Sequence, residues 1–290
     1  HVARIANFYQ SLSEGTLVPR WAGNLNWGYG HPILMFLYPL PSYVASFFHG
    51  LGFSLVDSTK LVFAVAYMAS MVTMYVWMSA QWGIASGLVG AVLYGFAPYR
   101  FVDLYVRGAI GEHMAFVFPP LICLALYRLA RNNKPWLSVW GIILAASTAG
   151  LLTSHNALAL MFLVIIWLYG LYILAFVSKR RLLFAVTALF YVLLGFGLSA
   201  TFLIPAFIEG KYTLRDIVTK GEFGTRFIQL QEFLYSSWKY GGGEFTKQVG
   251  IVHWVGILAS VWVFVRSKQK NVRWFIVGCW VVFGAAIFLM

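Results

Sequence analysis

Eight apolar runs, each close to the length a helix needs to cross a lipid bilayer, leave this chain very few folds. They are Leu61 to Ala80, Gly83 to Ala97, Met114 to Leu129, Leu137 to Thr153, Ala157 to Val177, Leu182 to Ile208, Val249 to Val265 and Trp274 to Met290. Roughly 20 apolar residues cross a hydrocarbon core as helix. Hydrophobic residues make up 61% of the chain and charged ones 10%, so soluble folds are excluded. The expected fold is all-α, a polytopic transmembrane helical bundle. A further run, Ile33 to Leu55, is long enough to cross but contains Pro39 and Pro41 and follows Pro32. Proline lacks an N–H donor and breaks the helical ladder, so this piece either crosses or lies at the interface as a juxtamembrane or re-entrant element.

The formal net charge of +12 invites a nucleic-acid reading until it is divided by loop. Three short connections carry Arg128, Arg131 and Lys134; Lys179, Arg180 and Arg181; and Arg266, Lys268, Lys270 and Arg273, with no acid among them. They recur two spans apart, the pattern of cytoplasmic turns under the positive-inside rule. The other Lys and Arg nearly balance the Asp and Glu, so the basicity is topological and no nucleic-acid partner is expected. Counting from these turns places Gln81 and Trp82 inside. Pro98 to His113, the Ser154-His155-Asn156 turn and the Glu209 to Gln248 loop fall outside.

Charge is concentrated where an apolar chain least accommodates it. The stretch Pro98 to His113 holds Arg100, Asp103, Arg107, Glu112 and His113. Ionisable residues at membrane depth are functional candidates, because they persist mainly when paired, cavity-lining or ligand-bound; the alternative is a solvated connecting loop. Cys123 and Cys279 fall inside spans as small apolar fillers, with no spacing for zinc or a redox dithiol. No HExxH, phosphate-cradling GxxxxGK, GxGxxG or GxSxG is present. The outer polar residues His1, Arg4, Arg20, Arg100, Arg107, Lys211 and Arg215, beside Asp103 and Glu112, suit a lipid-borne phosphate. Guanidinium forks bind phosphate oxygens in pairs, and a carboxylate deprotonates an incoming hydroxyl or helps hold a divalent metal.

The motifs HVARIANF at His1 to Phe8, GTLVPRW at Gly15 to Trp21, GYGHP at Gly28 to Pro32 and YPLPSY at Tyr38 to Tyr43 open a resemblance. It continues through LYGFAPYRFVDLYVRGAIGE at Leu93 to Glu112, TSHNALAL at Thr153 to Leu160 and QLQEFLYSSWKYG at Gln229 to Gly241. Together they resemble the bacterial polytopic membrane proteins termed 6-pyruvoyl-tetrahydropterin synthase-related, and nothing here resembles the soluble pterin enzyme. That family is similar in layout to the GT-C membrane glycosyltransferases. The resemblance implies a GT-C-like fold with an outer-face juxtamembrane segment at Ile33 to Leu55. It also implies a catalytic acid a few residues before the His1-x-x-Arg4 pair; His1 is not an initiator, so the chain reads as a piece of a longer protein.

The resulting layout is a first outer loop over 1–60, a transmembrane core over 61–208 with the outer polar loop 98–113, an outer loop over 209–248, and a C-terminal transmembrane pair over 249–290. Catalytic candidates are Asp103 and Glu112; substrate-binding candidates are His1, Arg4, Arg20, Arg100, Arg107, His155 and Asn156. Each has a plainer alternative. Arg4 suits a snorkelling cation on an amphipathic helix, whose apolar Val2, Ile5, Phe8, Tyr9 and Leu12 repeat at helical spacing. Arg20 suits an interfacial anchor, Arg107 and Glu112 a structural ion pair, and His155 a helix-terminal group. The loop Glu209 to Gln248, with interleaved aromatics and Gly241-Gly242-Gly243 as a hinge, reads as a cover over the site or as a plain packed loop.

The expected activity is inverting transfer of a sugar from a polyprenyl-phosphate donor to a glycan, lipid or protein acceptor, at the outer face of a bacterial cytoplasmic membrane. A transporter or flippase for a lipid-linked glycan and a non-catalytic envelope scaffold are the alternatives. Transport sites usually sit near the midplane, and these spans carry almost no midplane charge.

Overall fold

The computed structural model describes residues 1–213, 228–238 and 246–289. Among them all regular structure is helical, with one isolated bridge between Ala22 and His31. The chain runs through α1 (Val2–Ser13), α2 (Ile33–Phe36), α3 (Leu40–Gly50), α4 (Leu55–Trp82), α5 (Ile84–Gly95) and α6 (Pro98–Phe101). A π-helix, Val102–Arg107, leads into α7 (Ile110–Ala115), α8 (Phe118–Ala130), α9 (Val139–Ser154), α10 (Asn156–Phe176) and α11 (Arg181–Glu209). After the short helix Leu230–Leu234, the helices Ile251–Arg266 and Lys270–Leu289 close the described chain.

Five helical segments are long and apolar enough to cross a membrane: Leu55–Trp82, Ile110–Ala130, Asn156–Phe176, Arg181–Tyr212 and Lys270–Phe288. Three shorter apolar helices, α5, α9 and Ile251–Arg266, match the remaining expected runs. The described residues thus form an all-helical structure with five helices able to span a membrane, consistent with an integral membrane protein. Much of α10 carries its apolar side chains outward, Leu160, Val164, Trp167 and Leu171 among them, as a helix facing hydrocarbon does. The proline-bearing run 33–55 divides into α2 and α3. The eleven residues of α3 extend about 16 Å at 1.5 Å per residue, half of a hydrocarbon core of about 30 Å. Pro39 caps α3 and Pro41 sits in its first turn, where the missing N–H costs nothing.

Between lipid-exposed helices the hydrophobic effect supplies little drive, so small residues that let backbones approach carry the packing. Gly87, Ala91 and Gly95 recur every four residues along α5 and are all buried. An added Cβ at Gly87 would lie 2.8 Å from the Tyr75 carbonyl of α4, and one at Gly195 of α11 2.7 Å from the Ala145 carbonyl of α9. The main core joins α8, α9, α10 and α11 through Ile122, Leu144, Leu151, Ile173 and Phe184. A second cluster joins α1, α3, α4 and α7 through Ile5, Ala45, Val62, Ala66, Ile110 and Met114. The apolar stripe of α1 thereby docks onto the bundle.

Two prolines inside the spans free carbonyls that side chains satisfy. Pro120 has no N–H to offer the Phe116 carbonyl four residues earlier, and Tyr94 donates its hydroxyl there at 2.7 Å. Pro205 lies inside α11 and in the same way frees the Thr201 carbonyl, to which Arg20 donates at 3.3 Å. Unsatisfied backbone is costly in lipid, so both contacts hold the bundle together.

Helix ends sort by charge. The ends of α4, α8 and α10, the start of the Lys270–Leu289 helix and the turns carrying Arg131, Lys179 and Arg180 meet around one cavity. His1, Arg107, Glu112 and His155 meet at the other end. The turns grouped by charge in the sequence therefore share one end of the bundle.

Candidate functional site

The stretch Pro98 to His113 is folded rather than a solvated connection. Pro98 opens α6 at its first turn, the π-helix follows without a break, and Gly108 ends it at φ 57°, a left-handed conformation that glycine adopts without strain. Single π turns inside helices are frequent at functional sites. The next span begins at Ile110, earlier than the apolar run suggested, so Glu112 and His113 lie in the first turn of a membrane-spanning segment.

Across the Gly108 turn, Arg107 meets Glu112 in a two-pronged pair. Arg107 Nη2 donates to Glu112 Oε1 at 2.6 Å and Nη1 to Oε2 at 2.7 Å. Nη1 also donates to Asp103 Oδ1 at 3.3 Å and to the Tyr99 hydroxyl at 2.6 Å. Tyr99 in turn donates to Glu112 Oε2 at 2.5 Å. Both carboxylate oxygens of Glu112 are thus engaged. Its side chain is 10% exposed and that of Arg107 32%, so the guanidinium is fixed from within and open from without. Hydrogen bonding to Glu112, the dominant cause, raises the Arg107 pKa further, and burial raises that of Tyr99.

Beneath this pair lies a fully buried layer. Asp103 has no exposed side-chain surface; burial, reinforced by the Glu112 charge and opposed by Arg107 and Arg100, pushes its carboxyl up to about 8. Its Oδ2 faces His113 Nδ1 at 3.7 Å, beyond hydrogen-bond reach, while the His113 ring stacks on Tyr67 at 5.8 Å and 11°. Buried polar atoms held apart in this way are uncommon and mark strain or function. Arg100 is 2% exposed. It donates to Ser70 Oγ at 2.8 Å, its guanidinium carbon lies 4.3 Å from the centre of the Phe116 ring, a cation–π contact, and its buried Nε and Nη1 have no hydrogen-bond partner.

The rim is completed from two other elements. His1 donates from Nε2 to the Gly108 carbonyl at 2.6 Å and its Nδ1 accepts from Arg4 Nη2 at 3.3 Å. His155 caps α10: its Nδ1 accepts the Leu158 N–H at 3.2 Å, which leaves the proton on Nε2, 3.9 Å from Glu112 Oε1. Burial lowers the His155 pKa, with Glu112 opposing and Arg107 reinforcing. Tyr38 lies against His155, ring centres 4.9 Å apart. Gly111 permits this approach, since a Cβ there would sit 2.1 Å from the Tyr38 ring and 2.6 Å from the Ser154 carbonyl.

Of the residues expected from sequence, the structure gathers Asp103, Glu112, Arg107, His155, His1 and Arg4. Three lie apart from that cluster. Arg100 is turned into the bundle, 2% exposed and bonded to Ser70. Arg20 serves the carbonyl freed by Pro205. Asn156 is exposed in the first turn of α10 and touches none of the clustered groups. Tyr99, Tyr38 and Tyr67 join the site unannounced, since a tyrosine near a span end ordinarily reads as part of an aromatic belt. The glycine hinge 241–243 and Arg215 lie outside the described residues.

Among the described residues no three or more His, Cys, Asp or Glu side chains are arranged to hold a metal ion. The reason is local: Arg107 and Tyr99 occupy the oxygens of Glu112, and Asp103 is sealed in. The arrangement is suited instead to presenting a pre-oriented guanidinium, flanked by Arg4 and His1, to an anion at the bundle end. Comparison of the chain with family models, with curated proteins and with solved structures gave no match.

Proposed function

We propose that the protein is a membrane glycosyltransferase of GT-C type, moving a sugar from a polyprenyl-phosphate donor to a glycan, lipid or protein acceptor at the carboxylate-bearing end of the bundle. The observation that carries this reading is the posture of Arg107, held by two short bonds to Glu112 with a third of its side chain exposed. A guanidinium oriented in advance loses little freedom when it meets phosphate oxygens. During transfer the bond between the sugar C1 and the phosphate oxygen breaks, both electrons stay on that oxygen, and the acceptor oxygen forms the new bond to C1. Charge therefore gathers on the departing phosphate. Arg107, with Arg4 and His1 beside the Gly108 turn, stabilises it.

In this reading Glu112 is a positioning residue, since both its oxygens hold Arg107 or Tyr99, and Asp103, buried beneath the pair and 3.3 Å from Arg107, reinforces the shelf on which Arg107 rests. Deprotonation of the acceptor is assigned to none of the described residues. The positive-inside rule supports an orientation with the Arg107 end outward and the basic turns in the cytoplasm of a bacterium.

The test is transfer from a radiolabelled polyprenyl-phosphate sugar by the purified protein in liposomes. A new glycosidic bond is expected, and Arg107→Ala lowers its rate about 100-fold, the scale of removing one donor from a developing oxyanion. Full-rate transfer by Arg107→Ala excludes Arg107 from the site. Passage of intact lipid-linked sugar across the liposome with no new bond replaces the transferase by a flippase.

A further inference from the structure

At the basic end a cavity of about 760 Å³ is lined by Arg131, Lys179 and Arg180, with Asn132 and Gln269 beside them and no Asp or Glu in its wall. Its cations are partly pre-set: Arg180 Nη1 donates to the Asn133 carbonyl at 3.3 Å and Arg131 donates to the Tyr127 hydroxyl. One wall of this polar room is Tyr172. The same tyrosine also lines a second, apolar slot of about 360 Å³ between α10 and the Lys270–Leu289 helix, walled by Leu168, Phe275 and Cys279. Gly278 forms part of that slot, and an added Cβ there would meet nothing within 4 Å.

A cationic room and an apolar slot on either side of one shared side chain, Tyr172, match an amphiphile with an anionic head. We propose that this end binds an anionic phospholipid, its phosphate among Arg131, Lys179 and Arg180 and one acyl chain in the slot beside Tyr172. Basic pockets between spanning helices favour anionic head groups because each cation near the bilayer surface adds attraction. The slot favours a lipid over a soluble phosphate, because only a lipid brings apolar surface to fill it. The site lies at the opposite end of the bundle from Arg107 and stands whether or not glycosyl transfer does.

The experiment is native mass spectrometry of the full chain in neutral detergent, offered equal amounts of dioleoyl phosphatidylglycerol and dioleoyl phosphatidylcholine. Phosphatidylglycerol is expected to be retained about tenfold over phosphatidylcholine, and Lys179→Gln with Arg180→Gln brings the two level. Gly278→Leu, which fills the slot without touching the cations, lowers phosphatidylglycerol retention about fivefold. Should the double variant fail to fold, Gly278→Leu decides alone. Equal retention of the two lipids, or phosphatidylglycerol retention unchanged by Gly278→Leu, overturns the proposal. Displacement of phosphatidylglycerol by an equal concentration of glycerol phosphate also overturns it, in favour of a soluble-anion site.

Discussion

At one end of the bundle Arg107 is clasped by Glu112 at 2.6 and 2.7 Å over the buried Asp103; at the other, Arg131, Lys179 and Arg180 line an open cavity with no carboxylate in its wall. The same residue types thus live in two electrostatic regimes. Inside the bundle a charge persists only with a partner, and stripping that partner leaves an uncompensated charge in a poorly polarisable medium. At the basic end water and salt screen each cation, so no single one matters much to folding. Loss of a paired group and loss of a solvated one should therefore differ sharply.

The largest expected effect is that of Glu112→Gln, which leaves Arg107 without its carboxylate. The protein should lose about 2–3 kcal/mol, below the span for a fully buried pair because Arg107 is partly open to solvent. Denaturant unfolding in detergent measures it, and a loss under about 1 kcal/mol would erase the contrast between the ends.

Next comes the pH response of Asp103. Its carboxyl titrates at the ordinary 3.8 when unfolded and about 8 when folded, so the folded state binds the extra proton. Its stabilising share is fully present below pH 3.8 and is lost as pH rises through about 8. Asp103→Asn, which copies the protonated form, should flatten the decline of the unfolding midpoint between pH 5 and 9. Parallel curves for the two proteins would mean that Asp103 is not the titrating group.

Smallest is Lys179→Gln at the basic end, expected to change stability by under about 0.5 kcal/mol and to lose even that in high salt. A change as large as that of Glu112→Gln would place Lys179 in a buried pair and merge the two regimes.

Sequence and structure agree most closely where the governing physics is local. A run such as Ala157 to Val177 is apolar along its whole length, and α10 follows it to within a residue at each end. The break of 33–55 into two short helices follows from prolines visible in the chain. The site was legible only in part. Glu112 and His113 lower the local apolarity, which hid the start of the apolar helical segment at Ile110. The contacts of Arg20 and Arg100, the Thr201 carbonyl and the Phe116 ring, lie on other helices and leave no local signal in the sequence.

The amino-acid order alone determined a helical membrane bundle with its cationic turns on one side, because backbone satisfaction in lipid and the charge bias of short loops are properties of contiguous segments. Only the tertiary structure decided which arginine grips a carboxylate, which is boxed among aromatic rings and which serves a carbonyl freed by proline. Those outcomes depend on distances between helices far apart in the chain. Glycines at 87, 111 and 195 permit close approach of neighbouring elements, which the sequence alone does not pair.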